Sequence, residues 1–172
     1  YNVDRSAVLA RGSYITMTNT VLANSNQFNF IGIRGGAYNF RNCTFINVGA
    51  GLVGRSEAVL SFRDYEVLVD ANGTKYFPKS QGEAYFTNCI IYGSKREEVE
   101  MLSLDDPPVD FYYEFNNCLM KVDTFSQNMI NCITNLDPLF VDEDYFDYKI
   151  DSIDSPANNA GLSSSINSSE PS

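Results

Sequence analysis

The chain has 172 residues, enough for one domain with a substantial core, and carries 22 acidic against 12 basic side chains for a net charge of −10. That balance argues against a phosphate-binding surface, so nucleic acid is not an expected partner. Histidine is absent, which removes the commonest general base and metal ligand and argues against triad hydrolases.

No apolar run approaches the roughly 18 residues of a membrane span, so no span is expected. With 11 Tyr and 12 Phe, frequent Asn and few helix formers, the composition favours β structure with many turns. The chain begins at Tyr1, and the expectation is a processed or truncated start rather than a signal peptide, since no charged region precedes Ser6–Ala10.

The elements come in chain order as a repeat. Ser6–Ala10 reads as a buried strand. The first unit follows at Ile15–Leu22 and is anchored on Asn19. The second is Tyr38–Phe45 on Asn42, the third Leu60–Val67 on Asp64, the fourth Ala84–Ile91 on Asn88, and the fifth Tyr113–Met120 on Asn117. The anchors are spaced by 23, 22, 24 and 29 residues.

The first two units also match upstream, where Arg11-Gly12-Ser13-Tyr14 precedes Arg34-Gly35-Gly36-Ala37 by 23 residues. The windows alternate with period 2, and the key slots hold aromatic and branched residues rather than leucine. The expectation is an all-β fold, a right-handed parallel β-helix of about 22–24 residues per coil in a single-stranded solenoid.

In that arrangement Met17, Phe40, Phe62, Phe86 and Phe115 point inward and stack. The anchors Asn19, Asn42, Asp64, Asn88 and Asn117 form a ladder at a left-handed bend. Asp64 tolerates the bend but has no amide to donate, so the ladder should weaken there. Positions after each anchor (Cys43 and Phe45, Tyr65 and Val67, Cys89 and Ile91, Cys118 and Met120) should face inward.

Residues 95–110 read as a loop leaving the coil, with Lys95-Arg96-Glu97-Glu98 and Asp105-Asp106-Pro107-Pro108 in it. Asp70–Gly73 is another turn. Asn135–Asp142 and Tyr148–Ile150 read as final strands joined by an acidic turn. The β-helix domain is expected over 1–162 in about five or six coils, with 163–172 a polar tail.

Ala84–Gly93 and Phe115–Lys121 resemble segments of parallel β-helix repeat proteins of gut Bacteroidetes, predicted surface lipoproteins of unassigned function. The stretch Asp137–Asp142 followed by Asp154–Gly161 is similar to their "DPLF…DAG" ending. The resemblance implies the β-helix fold, an extracellular or outer-membrane address, and further coils upstream. It implies no reaction.

The chemical candidates are few. Cys43, Cys89 and Cys118 share one slot. The reading taken is free buried thiols acting as small hydrophobes, although an extracellular address would favour a disulfide. Asp142, Asp144 and Asp147, together with Glu143, are the candidate metal ligands, with calcium the possible ion and a solvated turn the alternative; no other cofactor is expected. Asp105, Asp106 and Asp110 form a second acidic group.

Arg41 and Arg63 are expected in register on an outward face, as are Arg11 and Arg34, and would suit the carboxylates of a uronic acid polymer. Tyr85, Tyr92 and Tyr112 are candidates for stacking on sugar rings. The functional expectation is a non-catalytic segment of a bacterial surface or secreted protein, structural or carbohydrate-contacting. The alternative is part of a polysaccharide lyase or glycoside hydrolase acting on acidic polysaccharide. An open N-terminal edge would be capped by upstream coils or by another copy of the chain.

Overall fold

Asparagine enters the left-handed backbone region at lower cost than most side chains, and this chain places it at each turn between two parallel sheets. In the computed structural model, which describes residues 5–48, 55–104, 110–150 and 153–163, Asn19, Asn42, Asn88, Asn117 and Asn131 have φ of 52°, 53°, 55°, 53° and 52°. Each separates a strand of the large sheet from a strand of the second. The pairs are β1 (Val8–Thr18) and β2 (Val21–Ala23), β3 (Phe30–Arg41) and β4 (Thr44–Asn47), and β8 (Gly82–Thr87) and β9 (Ile90–Gly93). They continue with β11 (Phe111–Asn116) and β12 (Leu119–Met120), then β13 (Met129–Ile130) and β14 (Ile133–Thr134).

The remaining strands are β5 (Leu60–Arg63), β6 (Leu68–Val69), β7 (Lys75–Tyr76), β10 (Val99–Leu102), β15 (Phe140–Asp142) and β16 (Asp147–Ile150). The second sheet is ordered β14-β12-β9-β4-β2, all parallel. The large sheet is ordered β10-β5-β3-β8-β11-β13, with β1 on the opposite edge of β3. Among the described residues β1 and β2 pair on one side only.

This topology corrects the expected β-helix. The strands form a curved, half-barrel parallel sheet with several short sheets, not one solenoid stack. The break lies at the third unit. β3 is long enough to hold two partners along one edge, and the sheet forks there. Its first residues pair with β5 (Phe30↔Leu60, Gly32↔Phe62), and its later ones pair with β8 (Tyr38↔Ala84, Phe40↔Phe86).

Phe62 therefore sits over Gly32, not over Phe40. A Cβ on Gly32 would lie 2.9 Å from Cδ1 of Phe62, so the glycine makes room for the ring. The backbone of Asp64 does not join the left-handed set. Its buried carboxylate instead accepts from Ser103 Oγ at 2.6 Å and from the Leu104 amide. Without a left-handed residue to turn it into the second sheet, the chain runs on into the antiparallel pair β6–β7. Val67 is accordingly 47 % exposed and does not face the core as the repeat implied.

Elsewhere the inward positions fill the core. Phe40, Phe86 and Phe115 are buried, with ring centroids 4.9 and 4.5 Å apart and planes at 25° and 15°. Burial of each ring is worth about 1.5–3 kcal/mol, and each stacked pair adds about 0.5–1.5 kcal/mol. Cys43, Phe45, Cys89, Ile91, Cys118 and Met120 complete the same core.

The interval read as a loop contains β10, which pairs with β5; residues 105–109 of that interval, with Asp105 and Asp106, lie outside the described residues. β15 and β16 form an antiparallel hairpin across residues 143–146. The tail after residue 163 also lies outside the described residues. Among the described residues no helix is long and apolar enough to cross a membrane.

Candidate functional site

The outward face of the large sheet carries a groove of about 720 Å³. Its floor follows from the register. Tyr14 pairs with Ala37, Ala37 with Glu83, and Glu83 with Tyr112, so four strands contribute one row. At about 4.8 Å per strand, Tyr14 and Tyr112 stand about 14 Å apart. The small Ala37 lies between them, and Glu83 lies beside Tyr112. Tyr14 is 89 % exposed and Tyr112 48 %.

A second row sits two residues on, at Thr16, Asn39, Tyr85 and Glu114. It brings Tyr85 against Tyr112, with centroids 5.7 Å apart and rings tilted by 46°. Each hydroxyl donates to a carboxylate on its own strand, Tyr85 to Glu83 at 3.2 Å and Tyr112 to Glu114 at 3.1 Å. Desolvation and the Glu83 charge raise the Tyr85 hydroxyl above its ordinary pKa; the bond to Glu114 and desolvation raise that of Tyr112. Both therefore remain protonated donors at neutral pH.

A bulge shapes the other end. Arg11 pairs with Ile33 and Ser13 with Gly36, so Arg34 and Gly35 oppose the single residue Gly12. Arg34 and Gly35 have φ of 60° and 65°. A Cβ on Gly35 would lie 2.6 Å from the Ser80 carbonyl oxygen, so only glycine fits. Arg34 lines the groove with Arg11, whose Nη2 lies 2.6 Å from Oε1 of the nearly buried Glu66. The two arginines share the site, offset by one residue from the register expected of the sequence.

The other candidates are dispersed. Arg41 pairs with Thr18 and Thr87 at the end of β3. Arg63, beyond the start of β3, lies 3.8 Å from Glu100 and has its guanidinium 5.7 Å from the centre of the Phe28 ring. The structure does not bring these two together. Tyr92 is on the second sheet, with Lys121 Nζ 4.9 Å from its ring centre.

Asp142 Oδ1 accepts from the Tyr145 amide and Asp147 Oδ1 from the Lys149 amide, ordering the hairpin turn. Among the described residues no three His, Cys, Asp or Glu side chains form a group able to hold a metal, with Asp142, Asp144 and Asp147 included in that search. Along the bends, Asn88 Nδ2 donates to Asn42 Oδ1 at 3.2 Å, and Asn117 Nδ2 donates to the Ala160 carbonyl at 2.8 Å. The Leu162 amide closes on Asn88 Oδ1 at 2.7 Å. The C-terminal segment thus covers Asn88 and Asn117, and Asp64 stands apart from them.

Sequence reasoning singled out Tyr112 and Tyr85 but not the row that gives them a site. Tyr14, Ala37, Glu83 and Tyr112 each lie five residues before an asparagine anchor. That common offset was the available signal. Comparison with protein-family models, curated proteins and solved structures finds no match to this chain.

Proposed function

We propose that the chain is a non-catalytic segment of a bacterial surface or secreted protein and that its groove contacts a saccharide chain. One observation carries this reading: the Tyr14–Ala37–Glu83–Tyr112 row, with aromatic walls, a small floor and hydrogen-bonding groups between them. Sugar rings present apolar faces that stack on tyrosine, and hydroxyl edges that bond to carboxylate and guanidinium groups. Glu83, Asp110, Arg11 and Arg34 supply both kinds of polar group along the lining.

The test is isothermal titration against a panel of neutral and uronic-acid oligosaccharides, with Tyr14→Ala and Tyr112→Ala alongside. Binding by the native chain, weakened about tenfold or more in either variant with the melting temperature unchanged, is the expected result. About tenfold is the 1.4 kcal/mol expected of one stacking contact. A panel without a binder, or variants that bind as the native chain does, overturns the proposal. Release of unsaturated products from any uronic-acid polymer overturns its non-catalytic part.

A further inference from the structure

The four cysteines form one column. Cys43, Cys89, Cys118 and Cys132 each follow a left-handed asparagine, at Asn42, Asn88, Asn117 and Asn131. Each thiol lies near two carbonyl oxygens, one two residues back and one on the preceding strand. For Cys118 these are Asn116 at 3.5 Å and Phe86 at 3.6 Å; for Cys132 they are Ile130 at 3.5 Å and Phe115 at 3.4 Å. All four are free, three are buried, and only Cys132, at the end of the column, is partly open to solvent.

Cys118 and Cys132 are consecutive. The Ile133 amide donates to the Cys118 carbonyl at 2.9 Å, which sets their backbones one strand spacing apart. That spacing, about 4.8 Å, lies within the Cα range of disulfides. A hydrogen bond from Cys118 draws the Cys132 thiol below its ordinary pKa, against the effect of its partial burial. Burial and its thiol neighbours push Cys118 well above the ordinary value. Of these two the accessible thiol is the better nucleophile, with the second directly behind it. Cys89 is also drawn below its ordinary pKa, its desolvation outweighed by bonds to Cys118 and Cys43, but it is buried, so exposure singles out Cys132.

We propose that Cys132 is an oxidant-reactive modification site for peroxides, and that Cys118 resolves its oxidised form into an intrachain disulfide. In the first step the Cys132 thiolate sulfur attacks one peroxide oxygen and the O–O bond breaks. With hydrogen peroxide the second oxygen leaves as hydroxide, which takes up a proton to give water. Cys132 is then a sulfenic acid, its sulfur oxidised by two electrons. In the second step the Cys118 sulfur, losing its proton, attacks the Cys132 sulfur, and the hydroxyl group leaves as water. An S–S bond then joins the bend before β12 to the bend before β14. Cys43 and Cys89, deeper in the column, take no part.

The experiment treats the native full chain with hydrogen peroxide, blocks remaining thiols after unfolding, and maps peptides without reduction. Tryptic cleavage at Lys121 separates the two cysteines, so a disulfide joins two peptides that otherwise travel apart. The expected product is a linked pair lighter by two hydrogens, with Cys43 and Cys89 recovered as thiols. Cys118→Ser is expected instead to accumulate a sulfenic acid at Cys132 that dimedone traps. Oxidation of Cys43 or Cys89 before Cys132, or a Cys132 linkage only between two chains, overturns the proposal. If Cys118→Ser does not fold, the map of the native chain decides alone.

Discussion

Removing the Glu98 carboxylate breaks a buried ion pair and deprives two backbone amides of their acceptor. Arg55 and Glu98 are 1 % and 0 % exposed, and Nη2 lies 2.5 Å from Oε1. The same carboxylate accepts from the Lys95 amide at 2.7 Å and from the Val59 amide at 2.9 Å. It thus ties the approach to β5 to the approach to β10, the two strands of the branch that departs from the repeat. Among the described residues Arg55 Nε and Nη1 have no partner, so the arginine depends on Glu98 for its neutralisation.

Glu98→Ala leaves a buried cation, at about 3–5 kcal/mol, and orphans two amides at about 1–3 kcal/mol each where no water replaces the acceptor. Against a total stability of about 5–15 kcal/mol, that brings the domain close to unfolding. Arg55→Met is milder, since the remaining carboxylate keeps both amide donors. Urea unfolding followed by tyrosine fluorescence, which suits a chain without tryptophan, measures both. A loss below about 1 kcal/mol for Glu98→Ala, on the scale of an exposed pair, would refute the reasoning. So would an Arg55→Met variant less stable than Glu98→Ala.

Three further outcomes follow from single contacts. Gly35→Ala puts a side chain on a backbone with φ of 65° and against the Ser80 carbonyl, so thermal unfolding should show a loss of at least about 1–3 kcal/mol. Glu143 has its carboxyl pKa raised by desolvation and by the charges of Asp137 and Asp144. Its folded-state pKa exceeds the unfolded one, so its contribution is fully present in acid and is lost as pH rises through the folded value. Glu143→Gln should therefore be more stable than the native chain at pH 7 and equal to it near pH 3, as read by denaturant midpoints at each pH. Ala37→Trp fills the groove floor from an outward strand position; titration should show loss of saccharide binding with an unchanged melting temperature.

The bends and the core column were legible because each rests on local chemistry that repeats. Asparagine at a left-handed turn and phenylalanine two residues earlier need no knowledge of distant partners. The fork was not legible, because it depends on which half of β3 receives Phe62. Counting back from Asp64 sets Phe62 beside Phe40; the space over Gly32 decides otherwise. The Asn131–Cys132 bend was also missed. It follows Asn117 by only 14 residues, so a search at a period near 23 passes over it. β10 was hidden in a charged stretch that contains Glu98, a residue whose burial requires Arg55 from elsewhere in the chain.

The fork has a consequence on the outer face. Had the third unit entered between the second and the fourth, its residue five before the anchor, Val59, would have stood between Ala37 and Glu83. Instead Val59 is fully buried, its amide held by Glu98, and β3 meets β8 directly. The small floor of the groove therefore lies next to Glu83, and the two tyrosine walls stand three strand spacings apart rather than four. The buried ion pair that holds the branch and the width of the open groove are thus two results of one choice of partner by β3. A change that drove β5 back into the repeat would widen the groove as well as expose Arg55.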